Sequence, residues 1–167
     1  MYDPRPSRTD ATAKRAVFLL LTAAAAALVG SALVPSGSLA LQCLGLFLLL
    51  PATQLAARYL VLQYLYRIRP REDGSTDLEV YTYRGGARMQ LVCRIALSDV
   101  KEISPLTKEN RKPQAGTKRY HYAPDMHPAN ATVLSVDNAD GACELLLAPD
   151  ETMLTLLRSG MQPPTEP

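Results

Sequence analysis

Apolar residues fill the chain from Ala16 to Ala57 without one Asp, Glu, Lys or Arg, and every charge lies on either side of that block. Soluble helices alternate a buried stripe with a solvated face, so a run of this kind does not belong to a water-soluble single domain. Ala16–Val34 is long enough to cross a hydrocarbon core of roughly 30 Å, and Leu39–Ala57 supplies a second span of equal length. Between them Pro35-Ser36-Gly37-Ser38 is uncharged turn chemistry. The pattern predicts a two-helix transmembrane hairpin over 16–65, with spans 16–34 and 39–57. The second helix is expected to run past Arg58 to about residue 65, setting Tyr59, Tyr64 and Tyr66 in the headgroup belt.

From there the period changes to two. Leu78, Val80 and Thr82 alternate with Glu79, Tyr81 and Tyr83. Gly85-Gly86 supplies a hairpin turn, and Met89, Leu91, Cys93 and Ile95 form the next apolar face. Leu97, Val100 and Ile103 continue into a shorter, bent strand. A loop runs from Ser104 to Thr117, followed by strand patterns at Lys118–Tyr122, Ala131–Val136 and Ala142–Leu147. Pro149-Asp150-Glu151 reads as a helix start, Met153, Leu154 and Leu157 as its inner face, and Gly160 as its stop. The expectation is a β-meander over 66–160 closed by one amphipathic helix, with 1–15 and 161–167 as tails. The fold class is an α+β membrane protein: the hairpin, then a mainly antiparallel β domain.

Charge orients this plan. Arg5, Arg8, Lys14 and Arg15 precede the apolar block, and Arg58, Arg67, Arg69 and Arg71 follow it, whereas the connecting loop carries no charge. The positive-inside rule places both termini in the cytoplasm and makes the chain a multi-pass protein of the cell membrane. The long charged segment before the first span and the presence of a second argue against a cleaved signal peptide. Cys43, Cys93 and Cys143 sit in a span and two strands, as reduced buried thiols do, and the sequon at Asn130 is then irrelevant. Beyond Glu72 acidic residues outnumber basic ones, which argues against nucleic acid as a partner. Neither span holds an ionisable residue, which argues against an ion pathway. Ala26 and Gly30 lie one turn apart and would admit a close helix neighbour, in the same chain or in a homo-oligomer.

The order of many strands and one closing helix, together with Lys118-Arg119-Tyr120-His121-Tyr122, Pro128-Ala129-Asn130 and the ending Ala148-Pro149-Asp150-Glu151…Leu154…Leu157, resembles a group of uncharacterised small bacterial membrane proteins. These pair two N-terminal transmembrane helices with a C-terminal bacterial PH-like domain. The resemblance implies a PH-like split barrel at the membrane, and it carries over no catalytic residue.

Candidate chemistry is sparse. His121 and His127 flank Asp125 at no spacing that matches a metal motif, and they read as solvated or loop-bracing residues. Cys93 falls on the apolar face, where a buried thiol is inert. No catalytic residue, metal or cofactor is therefore expected, and the chain is read as a non-enzyme. Two surfaces remain. Lys108, Arg111, Lys112, Lys118 and Arg119 form a basic loop able to meet anionic headgroups, at about 1 kcal/mol for each cation near the surface. Tyr81, Tyr83, Tyr120 and Tyr122 form a candidate surface for a protein partner. The leading expectation is a membrane-anchored scaffold that recruits or stabilises a protein at the cytoplasmic face, and the alternative is recognition of anionic lipid.

Overall fold

The computed structural model describes residues 6, 11–34, 37–72, 74–85, 88–128, 130–138 and 141–161. Pro35, Ser36, Gly86, Ala129 and the tails before 11 (apart from Pro6) and after 161 lie outside the described residues. The chain divides into two compact units, Asp10–Leu62 and one that begins at Gln63.

The first unit is a helical hairpin. Helix α1 spans Thr12–Leu33 and α2 spans Ser38–Leu55, continued by a π-helical turn over Ala56–Val61. Both helices are long and apolar enough to cross a membrane, with mean hydropathy of 2.3 for Thr12–Leu33 and 1.7 for Ser38–Val61. They pack through small residues: Ala24, Ala27 and Ser31 are buried on α1, and Gly45 and Ala52 on α2. Gly45 is required by the approach, because a Cβ there would stand 2.7 Å from Leu28 Cγ and 3.2 Å from the Ala24 carbonyl. The seam is therefore displaced from the expected Ala26–Gly30 pair. Ala26 faces outward, and Gly30 sits at the margin near Leu41. The outer surface is apolar, with Phe18 and Phe47 each 69% exposed.

The helix ends at Val61, not near residue 65, and β1 (Leu62–Pro70) begins at once. Tyr64 and Tyr66 are thus strand residues of the second unit and are buried there. Tertiary partners explain the difference. The Tyr66 hydroxyl donates to the Tyr122 carbonyl at 2.8 Å and accepts from the Ala148 amide at 3.2 Å. Tyr64 donates to the His121 carbonyl at 3.5 Å. Buried phenols with such partners stay protonated, and burial raises the Tyr66 pKa above its ordinary value.

The second unit holds two sheets and one helix. β1, β2 (Thr76–Arg84) and β3 (Gln90–Ala96) form a three-stranded sheet in that order. A short 3₁₀ turn, Leu97–Asp99, leads to β4 (Val100–Pro105). With β5 (Lys118–His121), β6 (Thr132–Asn138) and β7 (Gly141–Leu147) it makes a four-stranded sheet ordered β4-β6-β7-β5. Here the expected meander is corrected, since β5 lies parallel to β7 at the far edge, pairing Lys118 with Cys143 and Tyr120 with Leu145. The loops on either side of β5 carry the chain across the sheet, which a run of tight hairpins does not do. Among the described residues the two sheets are not joined into a closed barrel.

Leu78, Val80, Leu97, Leu134, Leu145 and Leu147 are fully buried. Helix α3 (Glu151–Gly160) starts where Asp150 caps the Met153 amide at 2.8 Å, and it buries Met153 and Leu157 completely. A side chain at Gly160 would collide with Leu97, so this glycine lets the helix end lie against the 3₁₀ turn.

Candidate functional site

Strand β2 does not separate core from solvent by alternation. Leu78 and Val80 are buried on one face, but Asp77 and Glu79 on the other are 0% and 2% exposed. The register sets Glu79 opposite Arg94, and Arg94 pairs with Asp77 Oδ2 through Nη2 at 2.6 Å. Arg71 Nε reaches the same oxygen at 2.8 Å. The Tyr81 hydroxyl donates to Glu79 Oε2 at 2.8 Å, which raises its pKa, and the Arg67 guanidinium lies 5.2 Å from its ring centre. Buried charge is tolerated here because each carboxylate has a cationic partner. The cluster went unseen in the sequence, although acids at alternate positions of a strand beside Arg67, Arg69 and Arg71 were its signal.

Strand β3 departs from its expected inner face. Ile95 is buried and Cys93 half-buried, but Leu91 and Met89 are 44% and 47% exposed. The register shifts between Val80 and Tyr81, so Cys93 faces Val80 while Leu91 faces Tyr81. This bulge turns the end of β3 out of the core. Burial raises the Cys93 thiol pKa, and Tyr122 lines the same groove as this thiol.

The four tyrosines do not make one surface. Tyr81 belongs to the Glu79–Arg94 face of β2, whereas Tyr122 lines a groove with Cys93, whose partner Val80 lies on the opposite face. Tyr83 is half-buried on β2. Tyr120 and Tyr122 stack with centres 6.2 Å apart, and Tyr122 meets Tyr64 edge-on at 6.1 Å. Tyr120 is the most open of the four, at 45% exposure. With Tyr122 and Lys118 it lines a groove of about 620 Å³ bordered by Val92, Cys93, Arg94 and Ile95.

The basic loop splits into two roles. Arg119 is nearly buried against Glu144, with Nε and Nη2 each 2.6 Å from Oε2. It also donates to the carbonyls of Asn110, Arg111 and Lys112, while Glu144 Oε1 accepts from the Gln114 amide at 3.0 Å. Arg119 is thus a pin that fastens the loop to β7, and its charge is already met. Lys108, Arg111, Lys112 and Lys118 make no ion pair with any described residue. Lys108 and Arg111 line a second cleft, of about 420 Å³, together with His121 and His127. Lys112 is exposed outside it, and Lys118 faces the other groove. No three His, Cys, Asp or Glu residues gather as metal ligands among the described residues.

Comparison with protein-family models, curated proteins and solved structures finds no match for this chain.

Proposed function

We propose that the chain is a membrane-anchored, non-enzymatic binding module of PH-like type. In this reading α1 and α2 cross the cell membrane, both termini are cytoplasmic, and the β domain recruits or stabilises a protein partner. Two apolar helices with outward-facing Phe18 and Phe47 support the anchor, and the basic flanks support the orientation.

The observation that carries the recruiting role is the outer edge of β3. This strand ends its sheet, and among the described residues no backbone bond joins its second edge to another segment. Four consecutive residues, Val92–Ile95, border the groove. Consecutive residues of a strand point to alternate faces, so the groove runs along the unpaired N–H and C=O groups of the edge. Met89, Leu91 and Val92 lie exposed there without the lysines or prolines that normally protect such edges. An extended segment of a partner would add to β3 as a further strand, with apolar side chains on Leu91 and Tyr120.

The test is photocrosslinking of the full chain in native membranes, with the photoreactive residue at Tyr120 in one variant and at Leu91 in another. One dominant protein adduct from both positions, lost when Val92→Lys places a charge on the edge, supports the reading. Adducts to lipid alone, or a protein adduct that survives Val92→Lys, overturn it.

A further inference from the structure

We infer that the cleft beside the 106–117 loop is a binding site for a phosphate monoester carried on an apolar body. The site is independent of the recruiting edge, since it is lined by different residues.

Three features converge. The cavity, about 420 Å³, falls within the range of small-molecule sites, roughly 300–1,000 Å³. Its wall is largely apolar, formed by Leu106, Met126 and Leu146, and Leu146 belongs to a buried cluster with Ala131 and Val133 against which Leu106 packs. Lys108 and Arg111 also line it, both exposed and without a carboxylate partner among the described residues. By contrast Arg71 and Arg94 elsewhere in this unit, and Arg119 in the lining of this same cleft, are each paired with an acid. Unpaired cations over an apolar wall fit a ligand that brings the missing anion together with hydrocarbon.

Phosphate suits the site because it accepts from several donors at once, and a guanidinium can bind it in bidentate fashion. The loop that carries these cations is also held in shape. Arg119 ties down the carbonyls of residues 110–112, and Asn110 Oδ1 accepts from the Thr107 amide at 2.6 Å. The backbone that carries Lys108 and Arg111 is therefore fixed before a ligand arrives, which lowers the ordering cost of binding. A membrane lipid with a monoester headgroup and a soluble phosphorylated amphiphile present the same chemistry to these residues.

The experiment titrates the full chain, in phosphatidylcholine nanodiscs, with hexyl phosphate and separately with inorganic phosphate, by isothermal calorimetry. Saturable one-to-one binding of hexyl phosphate, tighter than that of inorganic phosphate, is expected. Lys108→Gln/Arg111→Gln should weaken it about tenfold or more, whereas Lys112→Gln/Lys118→Gln should stay within about twofold. The single variants Lys108→Gln and Arg111→Gln give the same readout should the double variant lose its fold. Nanodiscs that include phosphatidate distinguish the sources: a higher apparent Kd for hexyl phosphate assigns the cleft to a lipid headgroup, and an unchanged Kd assigns it to a soluble ligand. Absence of saturable binding, equal losses in both double variants, or equal affinity for inorganic and hexyl phosphate would overturn the inference.

Discussion

Arg119→Met isolates what the pin between Arg119 and Glu144 contributes. Their side chains are 11% and 8% exposed, so water replaces little of what the guanidinium provides. Removing the cation leaves the Glu144 carboxylate in that setting with the Gln114 amide still on Oε1. Breaking a buried pair from one side costs 3–5 kcal/mol, and the surviving amide bond argues for the lower end, about 3 kcal/mol. The three carbonyls that Arg119 also serves add little, because Arg111 and Lys112 are exposed and water can take over. Glu144→Met should cost a similar amount, by stranding the guanidinium. Changing both to Met removes both charges at once and should cost only about 1 kcal/mol.

Thermal unfolding of the four proteins in one neutral detergent gives the double-mutant cycle. Hydrogen exchange reports the loop directly, and amides of 110–117 should lose protection in Arg119→Met. A double variant as unstable as the sum of the singles would refute the reasoning, as would unchanged exchange in the loop. Either result would mean that the loop is held by something other than this pair.

Four further outcomes are expected. Leu157→Ala should destabilise the β-domain unit by about 2–5 kcal/mol, because the leucine is fully buried, measured by denaturant unfolding. Asp150→Ala should cost about 1 kcal/mol through loss of the Met153 amide cap, read as fraying of α3 in hydrogen exchange. Alkaline pH should unfold the domain: Tyr66 and Tyr122 have pKa values raised by burial, so the unfolded chain loses these protons first and stability falls above the ordinary tyrosine value of about 10. Tyr66→Phe should flatten that fall, and an unchanged pH slope would contradict it. Cys93 should alkylate more slowly at pH 7.5 than an unhindered thiol, because burial raises its pKa.

Periodicity made the hairpin, the β-rich remainder and the closing helix legible, because each is written in local spacing. A run of 42 residues without charge is long and apolar enough for two spanning helices, and Asp150 ahead of Met153 and Leu157 marks a helix start wherever the chain goes. Where spacing meets a second surface, it stopped being informative. Tyr64 and Tyr66 read from the sequence as an interfacial belt on a helix; they lie instead in a strand, where backbone groups 50 and more residues away accept their hydroxyls. Arg119 looked like its neighbours Lys112 and Lys118, and only the register of β5 on β7 brings Glu144 to it. The bulge in β3, the burial of Asp77 and Glu79, and the two clefts have the same origin. They depend on which strand lies beside which, a choice made by long-range packing and pairing, while local sequence sets only what each segment can become.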